Sequence, residues 1–228
     1  MPGSASARPT IAIDGPAGSG KSTVGKALAA RIGFRFLDTG LMYRAATWYA
    51  IQSGIDVNDS HAVTMAVSRT EYSVATGDDG DNLIALNGKD ITRFLHSIEV
   101  DASASAVSAI GGVREILVAE QRRIGGEGEI VMVGRDIGTV VLPGSPLKIY
   151  LTASARERAI RRHRDFVAEG TEVDPEDILR SIEQRDHLDS SRENSPLKPA
   201  DDARVVDTDE LSLEQVVDLL IELAEEVI

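Results

Sequence analysis

Short apolar segments alternate with amphipathic ones along most of this chain. Apolar runs that predict strands lie at residues 10–14, 34–37, 129–133, 147–151 and 204–206. Apolar residues spaced three and four apart predict helices at residues 20–32, 41–52, 61–67, 98–108, 113–123, 154–169, 174–189 and 212–228. Near-continuous apolar strands are typical of parallel sheets that helices cover on both faces. The alternation therefore predicts a doubly wound parallel α/β sheet.

Residues 71–94 depart from this pattern. Strand-like runs at 71–75 and 83–86 are followed by Asn87-Gly88, which is typical of a tight hairpin turn, and then by residues 89–94. We expect a small antiparallel lobe over residues 61–97, inserted into a core made of residues 10–60 and 98–228. So short a meander buries little apolar surface, so the lobe should be more mobile than the core. Residues 1–9, rich in Ser, Ala, Gly and Pro, should form a disordered tail.

The turn between the first strand and the first helix carries a phosphate-binding pattern. Gly15, four further residues and Gly20-Lys21-Ser22 match G-x4-G-K-[ST], whose backbone N–H groups surround one phosphate while the lysine reaches the next. Glycine permits positive φ, and the following helix offers unpaired N–H groups. We expect this loop to bind ATP, with Lys21 catalytic and Ser22 a ligand of Mg²⁺. The expected ATP-binding residues are Gly15, Pro16, Ala17, Gly18, Ser19, Gly20, Lys21, Ser22 and Thr23.

Charge and composition exclude several classes of protein. The chain has 228 residues and a formal net charge of −13, which argues against a nucleic-acid-binding surface because such surfaces are rich in Lys and Arg. No apolar run approaches the roughly eighteen residues of a membrane-spanning helix, and residues 1–9 lack the apolar centre of a signal peptide. The lack of cysteine excludes disulfides and thiolate metal sites. We expect a cytoplasmic monomer that binds neither membrane nor nucleic acid.

Arginine supplies most of the positive charge. The chain has 19 Arg and 5 Lys, and a guanidinium group holds phosphate oxygens at two points where an ammonium group offers one. One helical stripe of arginines suits a lid that closes over a triphosphate, and the alternative interpretation is a solvated charged face. For a second stripe, the alternative interpretation is an ordinary ladder of salt bridges along the helix. The two stripes are Arg158, Arg161 and Arg162, and Arg185, Asp189 and Arg192.

Several motifs occur in one order and together resemble a known family. The phosphate-binding loop is followed by Asp-Thr-Gly at residues 38–40, by Gly-Arg-Asp-Ile-Gly-Thr-Val-Val at 134–141, and by the helix end Arg-Asp-His-Leu-Asp-Ser-Ser-Arg at 185–192. In these motifs, and in its inserted lobe, the chain resembles the bacterial cytidylate kinases of the nucleoside monophosphate kinase group, from residue 10 onward. The resemblance implies transfer of the ATP γ-phosphate to CMP, with dCMP as a second substrate, Mg²⁺ as the metal and an inserted lobe that binds the monophosphate. It also implies a short helical lid over residues 155–170.

The same resemblance implies roles for individual residues. The acceptor phosphate would contact Thr39, Arg44, Arg135 and Arg192, the ribose Arg185 and Asp189, and the cytosine Ser105, Arg114 and Asp136, with Tyr43 in the same site. The implied catalytic residues are Lys21, Arg135, Asp136, Arg158, Arg161 and Arg162. One position departs from the family pattern, because Val133 stands where relatives often carry an acid. A role in holding metal-bound water would then fall to Asp136 or Asp14.

Two other functions compete with a nucleotide kinase. A hydroxyl kinase such as shikimate kinase shares the phosphate-binding core but needs a carboxylate base, whereas an acceptor phosphate is already ionised near neutral pH. The inserted lobe and the set of Ser105, Arg114 and Asp136 favour a nucleotide acceptor. A GTP-dependent switch needs D-x-x-G and N-K-x-D elements, and the sequence contains neither.

Overall fold

Two sheets organise the computed structural model, which describes residues 8–168, 170–192 and 194–228. The strands are β1 (Thr10–Asp14), β2 (Arg35–Asp38), β3 (Tyr72–Thr76), β4 (Asn82–Leu86), β5 (Lys89–Asp90), β6 (Ile130–Gly134), β7 (Leu147–Thr152) and β8 (Arg204–Asp207). The helices are α1 (Lys21–Ile32), α2 (Thr39–Gln52), α3 (Ser60–Ser68), α4 (Ile98–Ala109), α5 (Gly111–Gly125), α6 (Ala155–Ala168), α7 (Pro175–Ser191) and α8 (Leu213–Glu225). Five strands form a parallel sheet in the order β2-β6-β1-β7-β8, and β3, β4 and β5 form a small antiparallel sheet.

Helices cover both faces of the parallel sheet. On one face, residues of β1 and β6 pack with α2, α3 and α5 around Met42, Val67 and Leu117, all fully buried. On the other face, α1 and α8 pack around Leu28 and Leu220. The strands are buried on both sides, which explains their continuous apolar runs. The predicted doubly wound α/β fold with an antiparallel insert is confirmed.

The inserted sheet packs on α2 of the core. Ile84 of β4 and Leu95 are fully buried against Ala45 of that helix. Asn82, at the start of β4, is also buried: its side-chain oxygen accepts from the backbone N of Asp38 at 2.7 Å, and its amide donates to the carbonyl of Phe36 at 2.7 Å. The tip of the insert is therefore bonded directly to the end of β2. How independently the lobe over residues 61–97 moves stays a prediction.

Several element ends differ from the predicted ones. α2 begins at Thr39, two residues early, because the side chain of Asp38 accepts a hydrogen bond from the backbone N of Gly40 and caps the helix. β5 is only two residues long, since the carboxylate of Asp90 accepts from the backbone N of Thr92 and turns the chain into a 3₁₀ helix. The disordered tail was predicted over residues 1–9; its residues 1–7, and Glu169 at the predicted end of α6, lie outside the described residues.

The helices also bear on membrane insertion. Among the described residues, no single helix is both long enough and apolar enough to cross a bilayer. The consecutive helices α4 and α5 would pass together by length and composition alone, but they are bent by 92° where they meet.

Candidate active site

The loop between β1 and α1 presents backbone N–H groups at the end of the sheet. A Cβ atom on Gly15 would lie 2.1 Å from the carbonyl oxygen of Leu151, so a larger residue does not fit. Gly18 and Gly20 have φ values of 75° and 85°, which favour glycine. Gly20 is the N-cap of α1, and within the described part of the chain no side chain caps that end. The first N–H groups of α1 thus remain available to an anion.

Lys21 lies inside this loop. Its Nζ atom donates to the carbonyl oxygen of Pro16 at 3.0 Å, and the residue is only 7% exposed. Burial lowers the pKa of Lys21 well below its ordinary value, and the nearby charge of Arg135 lowers it further. A polyanion bound in the loop would raise the pKa of Lys21 again, because its negative charge would stabilise the buried ammonium group.

Ser22 contacts a carboxylate that the motif does not include. Its Oγ atom donates to Oδ2 of Asp38 at 2.5 Å, and Asp38 is held by its cap on α2 and by Asn82. A hydroxyl and a carboxylate oxygen are hard donors, of the kind that Mg²⁺ prefers. Within the described residues there is no cluster of three potential metal ligands, but Mg²⁺ in phosphoryl-transfer sites usually takes one or two protein ligands together with phosphate oxygens and water.

The two carboxylates predicted to replace an acid at position 133 are engaged elsewhere. Asp14 accepts from the backbone N atoms of Ile137 and Gly138, both at 2.7 Å, and burial raises the pKa of Asp14 to about 6 in spite of these bonds. Asp136 pairs with Arg114. The carboxylate beside Ser22 is therefore Asp38, whose strand pairs in register with Val133.

A second cavity lies beyond the ends of β2 and β6, between α2, α4 and α7. We call it the acceptor cavity, and it brings together nine of the ten residues predicted to bind the acceptor. They are Thr39, Tyr43, Arg44, Arg114, Arg135, Asp136, Arg185, Asp189 and Arg192. These residues come from four separate segments of the chain, namely α2, α5, the turn after β6, and α7 with its C-terminal end. Only the fold places them around one space.

Carboxylates hold three arginines of this cavity in place. Arg44 pairs with Asp101 of α4. The Nε atom of Arg135 donates to Oδ2 of Asp189 at 2.8 Å, and Nη2 of Arg192 lies 3.5 Å from the other oxygen of Asp189. Burial would raise the pKa of Asp189, but the charges of Arg135, Arg192 and Arg185, together with the hydrogen bond from Arg135, outweigh burial and lower it. The guanidinium groups are therefore fixed before any ligand binds.

Arg185 pairs with no carboxylate in the part of the chain that the structure describes. Its Nε atom is buried without a hydrogen bond among the described residues. Burial lowers the pKa of Arg185 to about 10, and the positive charge of Arg135 contributes in the same direction. A buried cation beside another cation is costly unless an anion joins them. The cavity is thus built to receive negative charge.

A buried pair closes the far end of the acceptor cavity. Arg114 and Asp136 are joined by a hydrogen bond, and both are almost fully buried. The guanidinium of Arg114 also lies 5.4 Å from the ring centre of Tyr43, whose pKa burial raises to about 12. Thr39 donates its hydroxyl to the carbonyl of Val133 at 2.9 Å. The hydroxyl of Thr39 thus holds α2 against β6 in this state.

Ser105 is the one predicted acceptor residue outside this cavity. It lines the neighbouring cleft of about 360 Å³ between α4, α7 and the phosphate-binding loop, while Ser108, three residues later, lines the acceptor cavity. Arg185 lines both spaces, so the two are adjacent. Ser105 therefore lines a different space from Asp136, a difference from the expected placement that helical spacing alone could not reveal.

The three arginines of the predicted lid stripe lie on one helix but do not share one environment. Arg158 is 4% exposed and is bonded to protein groups. Arg161 donates to Glu157 at 3.0 Å and to the carbonyl of Thr208 at 2.6 Å. Arg162 alone lies exposed, in both the cleft and the space over the phosphate-binding loop. Residues at i, i+3 and i+4 share a helix face, but here that face packs against the protein at Arg158.

Several residues of the site were not predicted from the sequence. Asp38 could have been found, because an Asp immediately before a helical segment is a cap signal and its strand ends beside the loop. Asp101, which pairs with Arg44, lies in a helix of small residues and carries no motif. Asn82 lies in a polar turn whose composition predicts only a loop.

Comparison with known proteins places the whole chain in one group. The sequence profile of the cytidylate kinases matches residues 11–226. A cytidylate kinase of Rhodococcus jostii is 48% identical over 92% of this chain and 92% of its own length. A cytidylate kinase of Streptococcus uberis is 48% identical over 96% of each chain. A solved structure of an uncharacterized protein from Eubacterium ventriosum shares the fold, with a TM-score of 0.52 at 15% identity over 96% of this chain and 99% of that one.

Proposed function

Because the chain belongs to the cytidylate kinase family, we propose that it transfers the γ-phosphate of ATP to CMP and to dCMP, releasing ADP. The family resemblance that the motifs indicated is confirmed, and with it the prediction of a kinase. The observation that carries the specific proposal is the acceptor cavity. It places Arg44, Arg135 and Arg192 around one space that adjoins the cleft beside the phosphate-binding loop.

The proposed mechanism consists of positioning and charge neutralisation. Phosphoryl transfer to an ionised phosphate needs no proton removal, so the residues have only to align the acceptor and stabilise the transferring group. In this proposal Lys21 contacts the β- and γ-phosphates, Arg135 contacts both the acceptor and the transferring group, and Arg162 approaches from the lid. Closure of the lid and the lobe would exclude water, which would otherwise compete as acceptor.

Magnesium would be held on the donor side. The hydroxyl of Ser22 is the proposed direct ligand, and Asp38, its hydrogen-bond partner at 2.5 Å, would orient it or hold a metal-bound water. When bound, Mg²⁺ neutralises charge on the β- and γ-phosphates. The side chain of Val133 has no oxygen atom, and Asp38 would supply the carboxylate in its place.

Selection of cytosine is proposed to depend on Asp136, Arg114 and Ser105. The carboxylate of Asp136 would accept from the exocyclic amino group, which uracil replaces with a carbonyl oxygen. Ser105 would join it once α4 closes the cleft. Replacing Ser105→Ala should then lower kcat/KM for CMP by roughly 5- to 15-fold and for UMP by less, the cost of one hydrogen bond. Ser68→Ala, at an exposed helical serine of α3 whose hydroxyl donates only to the carbonyl of Met65, is the matched control and should change neither value. Equal losses for CMP and UMP in Ser105→Ala would refute base recognition by Ser105.

The reaction itself can be tested directly. Purified protein with ATP and Mg²⁺ is offered CMP, dCMP, UMP, AMP and GMP separately, and ADP release is followed. We expect rapid release with CMP and dCMP, slow release with UMP and none above background with the purine nucleotides. ADP release that does not depend on a nucleoside monophosphate, or a preference for a purine, would refute the proposal.

We further propose a cytoplasmic monomer that binds neither membrane nor nucleic acid. The net charge of −13 and the lack of cysteine support this. The acceptor cavity is also formed by one chain alone. Light scattering on the protein as it elutes from a size-exclusion column should give a mass near 24.4 kDa. A mass of twice that value would contradict the monomer.

A further inference from the structure

Arg158 lies at a junction of three elements. Its Nε atom donates to the carbonyl of Ala153, where β7 leads into α6, at 3.0 Å. Its Nη1 atom donates to the carbonyl of Ala17 in the phosphate-binding loop at 2.9 Å. The same guanidinium pairs with both carboxylate oxygens of Asp186 on α7, at 3.1 and 2.5 Å. One buried side chain therefore connects the loop that binds ATP to a helix of the acceptor cavity.

Asp186 is well placed to pass on a displacement. It directly follows Arg185 on α7 and precedes Asp189 by less than one turn. Both of those residues line the acceptor cavity. A helix moves as a rigid element over such a short distance, so a shift at Asp186 also shifts them.

The other end of the connection contacts the part of the loop that must respond to ATP. A Cβ atom on Gly18 would lie 3.3 Å from Cβ of Arg158, and Gly18 has a φ of 75°. The Ala17 carbonyl and the N–H of Gly18 belong to one rigid peptide plane. The bond from Arg158 to that carbonyl therefore controls the direction of the N–H on its other side.

We infer that Arg158 is a positioning residue that couples the two nucleotide sites, through Ala17 on one side and Asp186 on the other. This inference rests on the proposed function. A phosphate that orders the loop also fixes the Ala17 carbonyl, and through Arg158 and Asp186 it fixes α7 in the position that receives the acceptor. Each nucleotide then tightens binding of the other by the same factor.

The test measures this coupling as a ratio. The Kd for CMP is determined by calorimetry with and without a saturating non-hydrolysable ATP analogue, in wild type, Asp186→Asn and Arg158→Lys. We expect wild type to bind CMP at least about fivefold more tightly with the analogue, a typical coupling factor. Both variants should bring the ratio close to one. Asp177→Asn, which removes an exposed pair with Arg180 on the same helix, should keep the wild-type ratio.

Three outcomes would overturn the inference. A wild-type ratio of one would mean that no coupling exists. If folded Asp186→Asn shows the same ratio as wild type, the contacts of Arg158 with Ala17 and Asp186 carry no coupling. If Arg158→Lys alone weakens binding of the analogue tenfold or more, and Asp186→Asn does not, then Arg158 contacts the triphosphate directly. If wild type binds no CMP in either state, the proposed function itself fails. Asp186→Asn is nearly isosteric, so it still decides the question if Arg158→Lys does not fold.

Discussion

The two halves of the site are built differently. The phosphate-binding loop comes from one continuous stretch, residues 15–23, and binds through backbone N–H groups whose direction glycines permit. The acceptor cavity draws its side chains from α2, α4, α5 and α7 and from the turn after β6, and most of its arginines are paired with carboxylates. The phosphate-binding loop is thus formed by local backbone geometry, whereas the acceptor cavity is formed only when distant segments fold together.

This difference separates what each half contributes. A backbone loop recognises phosphate and is indifferent to the rest of the nucleotide. A cavity of fixed side chains can distinguish one base from another, because an unmatched buried polar group is costly. We therefore expect substitutions in the loop to reduce the rate for every acceptor, and substitutions in the cavity to change which acceptor is used.

The largest expected effect is on the donor side. Lys21→Ala should lower kcat by roughly 10²- to 10³-fold or more for all acceptors alike, because it removes a cation from the transferring phosphate. Activity assays give the rate, and circular dichroism should show an unchanged fold. Lys26→Ala, on the same helix but paired with Asp81 at the surface, is the control. Retention of most of the wild-type kcat in Lys21→Ala would refute the role of the loop.

Asn82 connects the inserted sheet to Asp38, which in turn contacts Ser22 of the phosphate-binding loop and caps α2 beside the acceptor cavity. Asn82→Ala leaves the backbone N of Asp38 and the carbonyl of Phe36 without partners, so the free energy of unfolding should fall by about 2 kcal/mol. Urea unfolding measures this. Asn58→Ala, which removes only an exposed bond to Asp56, should change little. Equal effects of the two substitutions would show that the connection at Asn82 does not stabilise the lobe.

Arg185 should destabilise the ligand-free protein and strengthen CMP binding in the acceptor cavity. Arg185→Met removes a buried cation that is repelled by Arg135 and whose Nε atom has no hydrogen-bond partner within residues 8–168, 170–192 and 194–228. The folded state disfavours the charged form, since the pKa of Arg185 is lowered to about 10. The destabilisation is therefore present throughout the neutral range and is lost only as pH rises toward the ordinary pKa. We expect the ligand-free Tm to rise by roughly 2–5 °C and CMP binding to weaken about tenfold. A lower Tm would contradict the account.

Proton uptake is the smallest expected effect. Burial lowers the pKa of Lys21 in the free protein, and a bound triphosphate should raise it again. Binding of an ATP analogue above about pH 8, where the nucleotide phosphates are fully ionised, should then be accompanied by proton uptake at Lys21. Calorimetry in buffers of different ionisation enthalpy measures the uptake. Uptake of the same size in Lys21→Ala would assign it to another group.

The sequence predicts the local half of this molecule well and the distributed half only through resemblance. Apolar periodicity predicts the strands and helices, because each pattern is a direct consequence of burial in a sheet covered on both faces. Nine of the ten expected acceptor residues line one cavity, but they were identified by motif similarity, since no periodicity connects residue 44 with residue 192.

The differences between the expected and the observed placement of Arg158 and Ser105 have a common physical cause. Spacing shows which residues share a helix face, but tertiary packing decides where that face points. The stripe at Arg158, Arg161 and Arg162 is real, yet Arg158 is buried against Ala17 and Asp186. Ser105 and Ser108 lie less than one turn apart on α4, and only the packing of α4 decides which one lines the acceptor cavity.

The most direct test of the claim that the acceptor half selects the substrate compares kcat/KM for CMP and UMP in wild type and in Asp136→Asn. An amide at position 136 can donate to the uracil carbonyl, which a carboxylate cannot do. We predict a wild-type preference for CMP of roughly 10² or more, reduced at least tenfold in Asp136→Asn. Lys21→Ala should leave the preference unchanged while lowering both rates. If wild type uses CMP and UMP equally, or if folded Asp136→Asn retains the full preference, the cavity does not select the base as described.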